Sequence, residues 1–263
     1  MIDTERAFAA RAKVVGWKQS FLEYFADAAI GFDGDEAGSA KNQIRKLPDP
    51  PKGMQLLWEP RYGDAAASGE LGYLTGPSTN INPARDNGAP RHGNYASVWK
   101  RQPDGRYQVV IDVGVTTPGP TPFSPGFTRA PHGPRYAGKD TLEAAGRSLR
   151  EADAALTGAA LGNRAAAYRG RLAAGARLHY PNVLPVTGEA AILAWLGTLP
   201  SLSAGETRYA EAARSGDLGY TWGSYAAPGI GGDPAQKGFY TRVWTRGRDG
   251  VWKVVLDVLQ PQP

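Results

Sequence analysis

The 263-residue sequence has no cysteine. That excludes disulfides, thiol nucleophiles, iron–sulfur clusters and thiolate zinc sites together. It fits an oxidising compartment without requiring one. No apolar run approaches the roughly 20 residues that a membrane-spanning helix needs, so no membrane span is expected. Positive charge is in modest excess, 30 Lys and Arg against 25 Asp and Glu, and it is scattered along the chain. No nucleic-acid footprint follows from it, only a mild attraction to anionic ligands. Histidine is scarce: His92, His132 and His179 show no i,i+4 pair and no carboxylate at ligand spacing, so no metal site is expected. "DGDE" at Asp33–Glu36 opens like a calcium loop and lacks the later ligands. "GIGGDP" after Gly229 has no strand–helix context for a dinucleotide, and no "GxSxG" elbow occurs. No cofactor is implied.

What the chain has is an internal repeat, and repeats decide architecture. "RYGDAAASGELGYLTG" (Arg61–Gly76) pairs without gaps with "RYAEAARSGDLGYTWG" (Arg208–Gly223), Ser68 and Ser215 standing 147 residues apart. "YASVWKRQPDGRYQVVIDV" (Tyr95–Val113) pairs with "YTRVWTRGRDGVWKVVLDV" (Tyr240–Val258) at a spacing of 145. Ahead of these, "ERAFAARAKVV" lies opposite "EADAALTGAAL" with weaker identity. The chain reads as two copies of one domain, 1–115 and 139–263, joined by a Pro/Gly-rich linker over 116–138 that can form neither a central strand nor a helix interior. A hydrophobic content of 41% supplies a core for each.

Within a copy the pattern is helices followed by strands. Phe8, Ala12 and Val15 share a helical face that Gly16 interrupts, and Trp17, Phe21, Leu22 and Phe25 form a second stripe. "AAIGFDG" is a short strand, and "SAKNQIRKL" is a third helix stopped by "PDPP". Two hairpins follow, turning at Ser68–Gly69 and at the Asp-Gly that recurs as Asp249–Gly250. Asp140 or Thr141 caps the helix that restarts after the linker. The fold class is α+β, helices packed on one face of a curved antiparallel sheet, twice. Gly72 and Gly219 are expected to permit close backbone approach.

With "ADAAIGFDG", "SGELGYLTG" and "VWKRQPDGRYQVVIDV" in this order, the sequence resembles the NTF2-like superfamily, with its closest likeness to DUF4440/SnoaL-like bacterial domains. The resemblance covers both copies and implies a cystatin-like cone with an apolar pocket at its mouth. It also implies an internal pseudo-dimer of the two copies, with further oligomerisation left open. Activity is not implied: such domains include ketosteroid isomerase, scytalone dehydratase, limonene epoxide hydrolase and polyketide cyclases beside proteins that only bind or assemble.

Asp112 and Asp257 stand at matched places in apolar strands, "VVIDV" and "VVLDV", Val110 sharing a face with Asp112 by alternation. Each is either a pocket carboxylate of raised pKa or a structural one paired with a buried Arg, Tyr or Trp donor. Asp33 resembles the isomerase base, with Gly34 where that family has Pro; Ser97 and Arg242 replace its second acid, and its helix Tyr is missing, so steroid isomerisation is not expected. The second copy has the richer polar set: Asp257, Arg242 and His179, which stands where it can work with Asp257. Trp58, Tyr95 and Trp99, with Trp222, Tyr240 and Trp244, either pack the core or line a pocket for a flat ligand. Glu59/Arg61 and Glu206/Arg208 are candidates for a contact between copies. The expected role is binding of a small apolar or aromatic molecule, with cofactor-free acid–base catalysis by a pocket aspartate or assembly through the outer sheet surface as alternatives. "MIDTERAFAARAK" reads as a helix start and not a signal peptide. The compartment stays open: cytoplasmic, or periplasmic or secreted if a signal has been removed.

Overall fold

A computed structural model of the chain describes residues 1–229 and 234–262. The chain divides into two compact units. The first takes in Met1–Asp64, Gly72–Arg129 and Pro181–Leu184; the second takes in Ala65–Leu71, Ala130–Tyr180 and Pro185–Pro263. The stretch expected as linker is therefore shared out between them.

The first unit begins with α1 (Ile2–Val15) and α2 (Trp17–Tyr24), separated by Gly16 at φ 82°, a backbone angle that favours glycine. Strands β1 (Phe25–Asp33) and β2 (Glu36–Ser39) follow, then α3 (Ala40–Lys46), whose N-terminus is capped by the Ser39 hydroxyl accepting from Asn42 N. The rest is strand: β3 (Gln55–Trp58), β4 (Tyr62–Ala65), β5 (Leu71–Ile81), β6 (Arg91–Arg101), β7 (Tyr107–Thr117) and the short β8 (Thr128–Arg129). The sheet order is β2-β1-β7-β6-β5-β4-β8, with β3 also paired to β5. Phe8 anchors the core, its ring 4.9 Å from Phe21 and 4.7 Å from Trp58 between centroids.

The second unit repeats this plan. Helices α4 (Leu142–Ala160) and α5 (Arg164–Tyr168) are capped by Thr141 and Asn163. Then come β9 (Leu172–His179), β10 (Val186–Thr187), α6 (Glu189–Leu196), β11 (Ala204–Ala212), β12 (Leu218–Ala227), β13 (Gln236–Arg246) and β14 (Trp252–Pro261). The order β10-β9-β14-β13-β12-β11 matches the run β2-β1-β7-β6-β5-β4 of the first sheet, while β3 and β8 have no separate counterpart. Leu149 and Leu156 of α4 pack on Leu178, Ile192, Trp244 and Val254.

Two expectations need correction. The sheets are mixed, not antiparallel: β1 runs parallel to β7, and β9 parallel to β14. Hairpin turns announce antiparallel neighbours locally, whereas this pairing joins the first and last long strands and carries no turn signal. In addition, β7 bulges at Val110, because Val98 pairs with Ile111 while Trp99 pairs with Val109. The extra residue resets the alternation, so Val110 is no guide to the face of Asp112.

The close approaches at the repeated corner are present. A Cβ on Gly72 would lie 2.9 Å from Asp64 O, and one on Gly219 would lie 2.8 Å from Glu211 O. Within the second unit Ser68 N donates to Ser215 Oγ, Ala67 N to Asp217 and Arg214 N to Glu70 Oε1. The Glu/Arg pairs close locally: Arg61 meets Glu59 at 2.7 Å and Arg208 meets Glu206 at 3.4 Å. The glycine cluster after Gly229 falls on residues 230–233, outside the described residues.

Candidate functional site

Register places the candidate carboxylates identically. Asp112 faces Ser97 across β7 and β6, and Asp257 faces Arg242 across β14 and β13. That single difference, Ser against Arg, sets the chemistry of each unit.

In the second unit Arg242 is buried and its guanidinium bridges two buried acids. Nη1 lies 2.9 Å from Asp153 Oδ1 and Nε 3.0 Å from Asp257 Oδ2, and Nη1 also donates to Thr157 Oγ1. Burial alone would lower the pKa of Arg242; the surrounding phenols and carboxylates outweigh it and hold the group charged. Tyr168 OH donates to Asp257 Oδ2, and Tyr240 OH and Thr221 Oγ1 donate to Asp153. The Arg242 guanidinium also sits 3.9 Å over the Tyr240 ring. The cavity beside this network, lined by Arg164, Tyr168, Tyr180, Tyr225 and Arg242 among others, holds only about 10 Å³. That is room for one water.

His179 is fully buried, and neither ring nitrogen has a hydrogen-bond partner. Burial, with the charge of Arg177, pulls its pKa down to about 3. Its expected partner Asp257 is engaged by Tyr168 and Arg242 instead. Trp244 is core, its Nε1 donating to Thr221 Oγ1, and Trp222 packs against Tyr209 and Phe239. The richer polar set is thus a closed ion-pair network.

The first unit differs. Here the buried helix acid is Glu5, which accepts from Trp58 Nε1 at 2.6 Å, Ser97 Oγ at 2.6 Å and Trp99 Nε1 at 2.7 Å. Burial raises its pKa, and these three donors offset part of the rise. Ser97 and Trp99 are satisfied by Glu5, so nothing reaches Asp112. The Asp112 carboxyl has no hydrogen-bond or ion-pair partner among the described residues. It lines a pocket of about 290 Å³ whose walls are Trp17, Phe21, Met54, Leu56 and Trp58. Desolvation, reinforced by the charge of Glu5, raises the pKa of Asp112 well above the carboxylate range. Two further buried polar atoms on this pocket's lining residues lack a partner: Tyr95 OH and Trp17 Nε1. Burial, then the charges of Glu5, Asp112 and Glu59, also raises the Tyr95 phenol.

The two cavities are the same place in the repeat. At the spacings of 147 and 145, Ser78, Ser97 and Gly114 of the first copy correspond to Tyr225, Arg242 and Leu259 of the second. Three small residues leave a void; three large ones fill it.

Of the residues singled out in the sequence, Asp112, Trp58 and Tyr95 meet around one pocket, while Trp99 lies beneath it on Glu5. Asp33 is exposed at the end of β1, opposite Glu36, and is not among the pocket-lining residues. His92 and His132 lie outside this pocket. The sequence reading missed Glu5, Asp153 and Tyr168. For the two acids the signal was a carboxylate three residues before a core side chain on the same helix, Glu5 before Phe8 and Asp153 before Leu156.

Among the described residues no cluster of three or more His, Asp or Glu is placed to hold a metal ion, and no helix is long and apolar enough to cross a membrane. No protein-family model and no curated protein matches the sequence. Solved structures do resemble it. A nuclear transport factor 2 (NTF2-like) superfamily protein from Salmonella enterica is 10% identical with a TM-score of 0.39, over 46% of this chain and 93% of its own. An NTF2-like protein of unknown function from Pseudomonas putida is 19% identical with a TM-score of 0.37, over 45% of this chain and 87% of its own. A domain of unknown function with a cystatin-like fold from Nostoc punctiforme is 14% identical with a TM-score of 0.36, over 43% and 74%. The α-α-β-β-α start and the parallel closure of first long strand on last recur in both units.

Proposed function

We propose that this tandem NTF2-like protein, with repeats at 1–115 and 139–263, binds a small apolar or aromatic molecule in the pocket of its first unit. The observation that carries the reading is a pocket of about 290 Å³ with aromatic walls and three polar groups that no protein atom satisfies: Asp112, Tyr95 OH and Trp17 Nε1. Buried polar groups without partners are costly, and a ligand atom that satisfies them recovers that cost on binding. The apolar walls hold the body of the ligand and the polar floor orients it.

A second reading, acid–base catalysis, is favoured by one observation. Asp112 is a pocket carboxyl whose pKa is raised by desolvation and by the charge of Glu5, the direction that suits a proton donor to a carbonyl or epoxide oxygen. Trp17 and Trp58 in the walls make intrinsic fluorescence the readout. Ketones, lactones, epoxides and aromatic acids are titrated into wild type and Asp112→Asn, with product analysis of each hit. Saturable quenching that Asp112→Asn weakens supports binding; conversion by wild type alone supports catalysis. Absence of any saturable quenching by the whole panel overturns the pocket as the functional site.

A further inference from the structure

The second unit holds a template for what the first unit lacks. There the Arg242 guanidinium lies between two buried acids, 2.9 Å from Asp153 and 3.0 Å from Asp257, and 3.9 Å over the Tyr240 ring. The first unit keeps both acids and the ring. Asp112 stands for Asp257 and Tyr95 for Tyr240 at the spacing of 145, and Glu5 takes the buried-acid place of Asp153. The cation is gone, because Ser97 stands for Arg242.

Nothing in the first unit replaces it. The donors to Glu5 are Trp58, Ser97 and Trp99, all neutral, and among the described residues no Lys or Arg pairs with Glu5 or Asp112. Asp112 therefore meets the charge of Glu5 with no cation to offset either acid. No Lys, Arg or His lines the pocket that Asp112 lines; Arg91 and His92, at the start of β6, line the neighbouring cavity instead. Tyr95 is buried and lines the same pocket, yet its hydroxyl has no partner, whereas the matching Tyr240 hydroxyl donates to Asp153.

We propose that the ligand of the first unit is an organic cation, an amine or guanidine. Its charged head takes, at Asp112 and against the Tyr95 ring, the place that the Arg242 guanidinium holds in the second unit. Its apolar body lies between Trp17, Leu56 and Trp58. This deepens the binding reading above and rests on it. An acid without a partner beside indole and phenol rings receives positive charge in two ways: the ring faces attract a cation, and the carboxylate pairs with it. The fold has already desolvated Asp112, so a cation that reaches it gains the attraction without repeating that cost. Burial and the charge of Glu5 disfavour negative charge on Asp112; a cation beside it reverses the balance, and a proton held on the carboxyl passes to solvent. The chain as a whole carries a net charge of +5, which opposes a cation, so a preference for one has to come from the pocket.

The test is a fluorescence titration at neutral pH with 4-phenylbutylamine and its uncharged counterpart 4-phenylbutan-1-ol. Wild type is expected to bind the amine about tenfold or more tightly than the alcohol. Asp112→Asn, which keeps the shape of the side chain, is expected to bind the amine no better than the alcohol. Ser97→Arg, which gives the first unit the cation of the second, is expected to lose the amine preference as well. Equal affinity for amine and alcohol in wild type, or an amine preference that survives Asp112→Asn, overturns the cation site and leaves the apolar pocket standing. Failure of both probes to bind wild type overturns the pocket reading and this inference with it.

Discussion

Replacing Arg242 by Met strips the second unit of the cation that neutralises two buried acids. Met fills most of the aliphatic volume, so the loss is electrostatic. Asp153 keeps its donors Thr221 and Tyr240, and Asp257 keeps Tyr168, but the ion pairs at 2.9 and 3.0 Å disappear. Leaving a buried charge without its partner costs about 3–5 kcal/mol. For a domain of this size that corresponds to roughly 6–20 °C in the midpoint of thermal unfolding. Scanning calorimetry is the assay, because it can resolve the transition of one unit from that of the other. The triple variant Arg242→Met with Asp153→Asn and Asp257→Asn should recover most of the loss, since a neutral hydrogen-bonded cluster carries no buried charge. A shift below about 3 °C for the single variant, or a triple variant no more stable than the single, would refute the claim that Arg242 is a structural bridge.

Other substitutions test the remaining assignments. Asp112 has a raised folded-state pKa, so its contribution to stability is complete below the ordinary carboxylate value and is lost as pH rises through the folded one. Asp112→Asn should therefore gain on wild type as pH increases from about 4 to neutrality, and a constant difference in midpoint over that range would contradict a desolvated carboxyl. His179 has a depressed pKa, so its contribution is complete above about 6.5 and is lost as pH falls towards about 3. In urea melts His179→Leu should show a flatter acid limb than wild type between those values, and identical limbs would mean that the ring is solvated. Glu5→Leu leaves the buried indole N–H of Trp99 without its acid acceptor and that of Trp58 without an acceptor, and should lower stability by about 2–4 kcal/mol, read from the urea midpoint. Gly223→Ala places a Cβ 2.1 Å from Glu206 O, so it should lower the melting midpoint measurably while Gly114→Ala, with no contact closer than 3.5 Å, leaves it nearly unchanged.

The repeat, the hairpin turns and the helix caps were legible in the sequence because each is a local chemical signal: Asp-Gly at a turn, Thr141 ahead of an apolar stripe, proline where a helix stops. The matched aspartates were legible too, since a charge inside "VVIDV" and "VVLDV" interrupts an apolar strand. Their different fates were not. Whether Asp112 is free depends on Glu5 capturing Ser97 and Trp99, an event between elements more than 90 residues apart. Aligning the first helices by identity also set Glu5 opposite Glu151, whereas the residue that takes the buried-acid place in the second unit is Asp153. The volume of a cavity is harder still to read. It is a difference between large packed volumes, and it became visible only when Ser78, Ser97 and Gly114 were set against Tyr225, Arg242 and Leu259.

That contrast fixes a stoichiometry. A duplicated domain with both cavities open would offer two seats per chain, and occupancy of one could bias the other. Here the second seat is filled by the chain's own tyrosine, arginine and leucine, so a ligand bound as proposed is expected to saturate at one equivalent per chain with a simple hyperbolic isotherm. The duplication has not doubled capacity. It has left one repeat free to be hollow because the other is solid.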